Sequence, residues 1–353
     1  MACLAQLLDP EDYRRCDWDL RSDAEGRAYW HSVFRWHLDE VVVPLIREEY
    51  PEATPTQLAD LRSDYLAAFE ALDAHPERRA SLDILDFTTL RGNVLGRHGF
   101  EDPFRGVKAR ENETAIALLP GVLKEIDSAS PEERRELLLL GLMAGNIFDL
   151  GSVATAKLYR DGNAAFRETR SSQPARPWHC DDVDAWWERW SGGTLYRHVV
   201  WFVDNAGSDI VLGNLPLVRW MLAAGARVTL AANSQPALND ITAVELEPLL
   251  RRCTAEDAAL AESLESGRLR AIATGSTAPL LDMTQLDDGF VDATADADLI
   301  MLHGMGRAIE SNFHARLRCD AVWMAVLKDE QVASRIAGKL YDCVFRFCAG
   351  EVA

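Results

Sequence analysis

The apolar positions of this chain change their period near its middle. Up to about residue 160 they recur three and four apart, as in Tyr29-Trp30-Val33-Phe34-His37-Leu38 and in Leu58-Leu61-Tyr65-Phe69, the spacing of one face of a helix. Residues 132–146 read as a long buried helix, with Pro131 at its start and Ser128 or Ser130 as the cap. A proline-rich connector, Ser171-Ser-Gln-Pro-Ala-Arg-Pro-Trp178, follows. From residue 196 short apolar runs alternate with helical patterns, and the strand candidates are 198–203, 228–232, 269–273, 299–302, 321–327 and 340–347. Strands alternating with helices predict an α/β fold: a three-layer α/β/α core with a mostly parallel sheet, plus a helical N-terminal subdomain. The expected division is 1–170 for the helical part and 171–353 for the α/β/α core.

The ends of those strand candidates carry the chemistry. Val199-Val-Trp-Phe-Val-Asp-Asn-Ala-Gly207 is an apolar run that stops abruptly at Asp204 and Asn205, and Leu238-Asn239-Asp240 lies just beyond the next strand candidate. Ligands of open α/β sheets collect outside the carboxyl ends of the strands. Hard oxygen donors from Asp204, Asn205 and Asp240 on one rim suit a Mg²⁺-type ion. The same residue types also make ordinary turns and helix caps, so neither segment decides the matter alone.

Two further segments fit the same rim. Gly145-Asn-Ile-Phe-Asp-Leu-Gly151 closes the long helix, either as a simple glycine stop or with Asn146 and Asp149 turned toward the sheet to hold substrate or water. His303-Gly-Met-Gly-Arg307 follows a strand, where Gly304 and Gly306 allow close backbone approach to an anion and Arg307 offers a cationic fork. It matches neither the dinucleotide-binding glycine pattern nor a phosphate loop ending in Gly-Lys-Ser/Thr. Phe104-Arg-Gly-Val-Lys-Ala-Arg-Glu-Asn112 reads as a solvated helix face, and the tryptophans at 178, 186, 187 and 190 as the filling of a subdomain junction.

Composition narrows the partners. The formal net charge of the 353-residue chain is −19, from 56 acids against 37 bases, which disfavours nucleic acid and anionic membranes. No run approaches the roughly 20 apolar residues that span a bilayer. Acids at positions 9, 11 and 12 make the N-terminus a poor signal peptide. Seven cysteines, an odd number with no Cys-x-x-Cys pair, argue for a reducing cytoplasm and against a disulfide framework or zinc cluster. Cys319 and Cys343 sit in apolar runs and are expected to be core thiols.

The ordered set of motifs resembles the metal-dependent damage-control phosphatases. It comprises Gly145-Asn-Ile-Phe-Asp-Leu-Gly151, then Asp204-Asn-Ala-Gly-Ser-Asp-Ile-Val-Leu-Gly213, then Leu238-Asn-Asp-Ile-Thr242, then Gly304-Met-Gly-Arg-Ala-Ile-Glu-Ser-Asn312. With Gly338-Lys-Leu-Tyr-Asp-Cys-Val-Phe-Arg-Phe347 it is most similar to the branch fused to type II pantothenate kinases and found alone in plants. The resemblance implies a divalent metal (Mg, Mn, Co or Ni) held by Asp204, Asn205 and Asp240, which are also the catalytic residues. It implies phosphate monoesters as substrates, for this branch 4′-phosphopantetheine and its oxidised or damaged forms. Asn146, Asp149, Ser208, His303, Gly304, Gly306 and Arg307 are the expected substrate-binding residues, and the nucleophile is either water or Asp204. One position departs: the branch usually has Glu where this chain has His303. Sugar phosphates are the alternative substrates. An S-adenosylmethionine-dependent methyltransferase and a non-catalytic metal- or ligand-binding protein are the rival classes. The oligomeric state stays open, with a homodimer one option.

Overall fold

The computed structural model describes residues 1–147, 166–191 and 196–351. Its centre is a seven-stranded sheet: β1 Cys180–Asp181, β2 His198–Phe202, β3 Arg227–Ala232, β4 Leu269–Ala273, β5 Leu299–His303, β6 Asp320–Val326 and β7 Cys343–Cys348. The spatial order is β1-β7-β6-β5-β2-β3-β4, and every pair is parallel except β6 with β7. β2, β5 and β6 are buried at every position. Burial on both faces is why these strands read as unbroken apolar runs.

Alternate residues of each strand feed two apolar layers. Val200, Phe202, Ile300, Leu302 and Trp323 face one layer, with helices α1 Ala24–His37, α2 Val43–Glu49, α3 Pro55–Asp73 and α4 Ile84–Arg97. Val199, Trp201, Val203, Met301 and Met324 face the other, with α5 Arg105–Ser128 and α6 Pro131–Ile147. Both layers draw on residues from either side of position 170. No helix among the described residues is long and apolar enough to cross a membrane.

Several local expectations shift for identifiable reasons. α6 is capped by Ser130, whose hydroxyl accepts from the Glu133 N–H while Glu133 accepts from the Ser130 N–H, a reciprocal box. β1, only two residues long, carries too little pattern to be read from sequence. β7 starts later than expected because residues 340–342 belong to a turn in which Tyr341 has φ 68°. The face of α5 expected to be solvated is not wholly so: buried Lys108 pairs with Asp102 at 3.0 Å and Glu245 at 2.7 Å. Trp178, Trp186 and Trp190 are buried, as a junction filling requires. Cys343 is buried and Cys319 half-buried, burial pushing both thiols up to about 12.

One close approach prepares the site. A Cβ on Gly145 in α6 would lie 2.9 Å from the Asp209 Cα and 3.0 Å from the Ser208 carbonyl oxygen. Only glycine lets α6 press its last turn against the segment that follows β2.

At the opposite end of the sheet, Asp320 opens β6. It accepts from Arg189 at 2.5 Å, from the Tyr196 hydroxyl at 2.6 Å and from the Gly350 N–H at 2.9 Å. Burial alone would raise its pKa, but these bonds outweigh burial and hold it below the usual carboxylate range. Because the folded value is depressed, its stabilisation is complete above about pH 3.9 and is lost as pH falls through the folded pKa. Asp320→Ala strands the buried Tyr196 hydroxyl, and a loss of about 1–3 kcal/mol at neutral pH is expected from urea unfolding. The variant's unfolding midpoint should also fall less steeply than wild type's below pH 4.

Candidate active site

After β2 the chain lays β3 on one side, and it returns only later to place β5 on the other. This reversal opens a crevice at the carboxyl ends of β2 and β5, where open α/β sheets bind ligands. Asp204 and Asn205 follow β2, the run from His303 to Arg307 leaves β5, and Asn233 follows β3. A backbone bridge joins Asn205 to Asp240, and the Ile241 N–H donates to the Asp204 carbonyl at 3.0 Å. Asp240 is thereby brought to the rim although no strand ends there. Both rim segments run into π-helical turns, Asp209–Asn214 and Gly306–Glu310, a conformation concentrated at functional sites.

Arg307 sits between the carboxylates. Its Nη1 donates to Asp204 Oδ1 at 2.5 Å and its Nη2 to Asp240 Oδ2 at 2.6 Å and Asn233 Oδ1 at 3.0 Å. Two amides hold the other side of Asp204. Asn146 Nδ2 and Asn205 Nδ2 each donate to Asp204 Oδ2 at 3.0 Å and to Asp209 Oδ2 at 3.1 Å. Asn146 is itself fixed: its Oδ1 accepts from the Val326 N–H at 3.1 Å and its carbonyl from Lys328 Nζ at 2.8 Å. All these side chains are buried. Gly304, at φ +92°, passes so close that a Cβ would fall on the Asp204 carboxylate.

Two buried acids share one guanidinium, and their electrostatics record the strain. Burial and the charge of Asp240 push Asp204 well above the usual carboxylate range, against the pull of Arg307 and Lys328. The Arg307 pKa is raised as well: Asp240 and Asp204 hold its proton more tightly than burial loosens it. One monovalent cation is therefore too little charge for the site. Among the described residues no three His, Cys, Asp or Glu side chains form a ready-made metal cage. The donor set of two carboxylates and the Asn205 amide, short of positive charge, nevertheless fits a hard divalent ion.

Of this cluster, Asp204 and Asp240 reach the floor of a cleft of about 730 Å³. Asp204, Asp240 and Gly306 line it from the sheet side, and Trp30, Phe34 and Arg91 from the helices α1 and α4. Leu238, Pro279, Leu280 and Met305 add apolar wall, and His37, Thr88, Glu310 and Asp329 add polar groups to it.

Residues 40–344 match the damage-control phosphatase ARMT1-like domain. The chain belongs to the damage-control phosphatase family. A damage-control phosphatase of Arabidopsis thaliana is 37% identical over 84% of this chain and 81% of its own length. Pantothenate kinase 2 of the same plant is 38% identical over 97% of the chain, and the 4′-phosphopantetheine phosphatase of Mus musculus 31% over 98%. The chain spans less than half of each of these two proteins, 41% and 48%. In fold, a DUF89 family protein from Pyrococcus horikoshii superposes with a TM-score of 0.64 at 16% identity, covering 94% of this chain and 99% of that one. Membership of a phosphatase family sets the methyltransferase alternative aside.

Of the residues singled out in the sequence, Asn146, Asp204, Asn205, Asp240, Gly304 and Arg307 converge at this rim. Gly306 lines the cleft, and buried Ser208 opens the turn after β2. Asp149 lies outside the described residues. His303 is fully buried behind the rim, its Nε2 3.6 Å from Asp209 Oδ1, and burial holds its pKa below the usual histidine value. Asp209, Asn233 and Lys328 were not anticipated. Asn233 and Lys328 each stand directly beyond an apolar strand run, the signal that had pointed to Asp204.

Gly304→Ala should drive the Asp204 carboxylate out of its clamp. A fall in phosphatase turnover of about 10²-fold is expected, with the far-ultraviolet dichroism retained. Near-normal turnover in a folded variant would show that Asp204 does not need this geometry.

Proposed function

We propose that this chain is a metal-dependent phosphomonoesterase acting on 4′-phosphopantetheine and its oxidised or damaged forms. The observation that carries the reading is the pair Asp204 and Asp240 at the floor of a largely apolar cleft on the switch point of the sheet. Asp204, Asn205 and Asp240 would hold the divalent ion, whose bound charge offsets that of the phosphoryl oxygens. Arg307 limits repulsion between the two carboxylates and keeps them facing one another. Asn146 and Asp209 lock the orientation of Asp204 and Asn205, so their oxygens need not reorganise as charge develops. The cleft walls exclude water around the ester.

The walls also favour the substrate. A sugar phosphate would set some hydroxyls against Trp30, Phe34, Leu238, Pro279 and Leu280, where apolar surface gives them no partner, while His37, Thr88, Glu310 and Asp329 offer polar atoms elsewhere on the lining. The pantetheine arm, part dimethyl and part amide, matches a wall that is apolar with isolated polar groups such as Thr88 and Arg91. The similarity to a protein named 4′-phosphopantetheine phosphatase supports the same choice.

The test is phosphate release from 4′-phosphopantetheine, its oxidised forms, several sugar phosphates and an aryl phosphate, after chelation and re-addition of Mg²⁺, Mn²⁺, Co²⁺ or Ni²⁺. Release should need the metal, rank the pantetheine esters first, and fall by at least about 10²-fold in Asp204→Ala. Sugar phosphates ranked first would overturn the substrate assignment. Turnover undiminished by chelation would overturn the role given to Asp204, Asn205 and Asp240.

A further inference from the structure

A second cavity of about 520 Å³ adjoins the first, and Trp30, Ile84 and Glu310 line both. These three side chains stand between the two cavities, and one of them is an indole with unused capacity. Trp30 is 5% exposed, and its Nε1 has no hydrogen-bond partner among the described residues. A buried N–H left without an acceptor is costly; Trp186, Trp190 and Trp201 share that state, but of the four it is Trp30 that lines both cavities. The aromatic surface is also continuous across it. Trp18, in the second cavity, contacts Trp30 with ring centroids 5.7 Å apart, and Trp30 contacts Phe34, in the first, at 6.3 Å.

The far side of the second cavity has a different character. The Arg335 guanidinium lies over the Trp18 ring at 4.6 Å, and Asp17, Phe313, His314 and Ile336 share the wall with it. Arg335 is exposed and, among the described residues, donates only a long bond, 3.4 Å, to the Asp17 carbonyl. A stacked guanidinium keeps its edge donors free to meet a polar or anionic group while its face stays packed.

We infer that this second cavity is a distal subsite for the far end of an elongated, amide-bearing leaving group. Trp30 is its specificity-determining threshold: the indole N–H meets an amide carbonyl as the arm passes, and the Arg335–Trp18 platform receives the tip. The inference rests on the phosphatase reading above and extends it. It assigns the chain to phosphate esters with long leaving groups rather than to compact ones.

Two variants test it. Trp30→Phe keeps an aromatic ring and deletes the donor, and Arg335→Ala removes an exposed side chain without emptying the core. Selectivity is read as the ratio of kcat/KM for 4′-phosphopantetheine to that for p-nitrophenyl phosphate, whose leaving group cannot reach the second cavity. Each variant should lower that ratio about tenfold, chiefly through KM for the long ester, as loss of one buried polar contact implies. Pantetheine, which has no phosphate, is titrated calorimetrically in parallel, and its binding should weaken by a similar factor in Arg335→Ala. Ratios and pantetheine affinity that stay within about twofold of wild type in both variants would overturn the subsite. In that event phosphate release by wild type still upholds the phosphatase. If wild type releases no phosphate from any ester, the phosphatase reading falls, and the pantetheine titration alone decides the subsite.

Discussion

Two buried aspartates held against a single guanidinium set the terms for the rest of this structure. A lone carboxylate so deep in a protein loses too much solvation to stay ionised without partners. Asp204 and Asp240 share Arg307, and the amides of Asn146, Asn205 and Asn233 take up lone pairs that remain. Each of those partners comes from a different part of the chain. Asn146 requires α6 to end against the turn after β2, which requires Gly145. Arg307 requires the backbone to leave β5 at a positive φ, which requires Gly304. The sheet order, the two π-helical turns and the glycine contacts are in this sense parts of one electrostatic arrangement.

That arrangement is incompletely neutralised. Asp209, whose Oδ2 accepts three bonds, adds a third buried carboxylate beside the pair, and Lys328 adds a second cation that is directed at a carbonyl oxygen. Such a pocket is poised for further positive charge, and the pull on each proton follows from it: Asp204 is driven toward protonation while Arg307 is held in its charged form.

Much of this was legible in the sequence because the signals are local. An apolar run that stops at Asp204-Asn205 announces both a strand and its functional end, and the five central strand positions lie within a residue or two of expectation. Asp240 was legible from its place just beyond the next strand candidate, although nothing local says that a loop residue will pair its backbone with Asn205. The roles of Arg307 and His303 were harder still. A cation after a glycine turn reads as a phosphate ligand, yet here it is committed to two carboxylates, and His303 is turned away from the cleft toward Asp209. Side-chain direction at the end of a strand depends on tertiary packing that periodicity does not encode. The cleft walls were invisible for the same reason: Trp30 and Phe34 belong to an amphipathic pattern that any core helix shows.

The match to the phosphatase family begins at residue 40, whereas Trp30, Phe34 and His37 all precede it. The strand-end carboxylates and their clamp thus lie inside the common framework, and a good part of the cleft's ceiling is contributed by a helix upstream of it. Floor and ceiling of the cleft come from stretches far apart in sequence, so a change in how α1 packs alters the space above the carboxylates without touching the bonds that hold them.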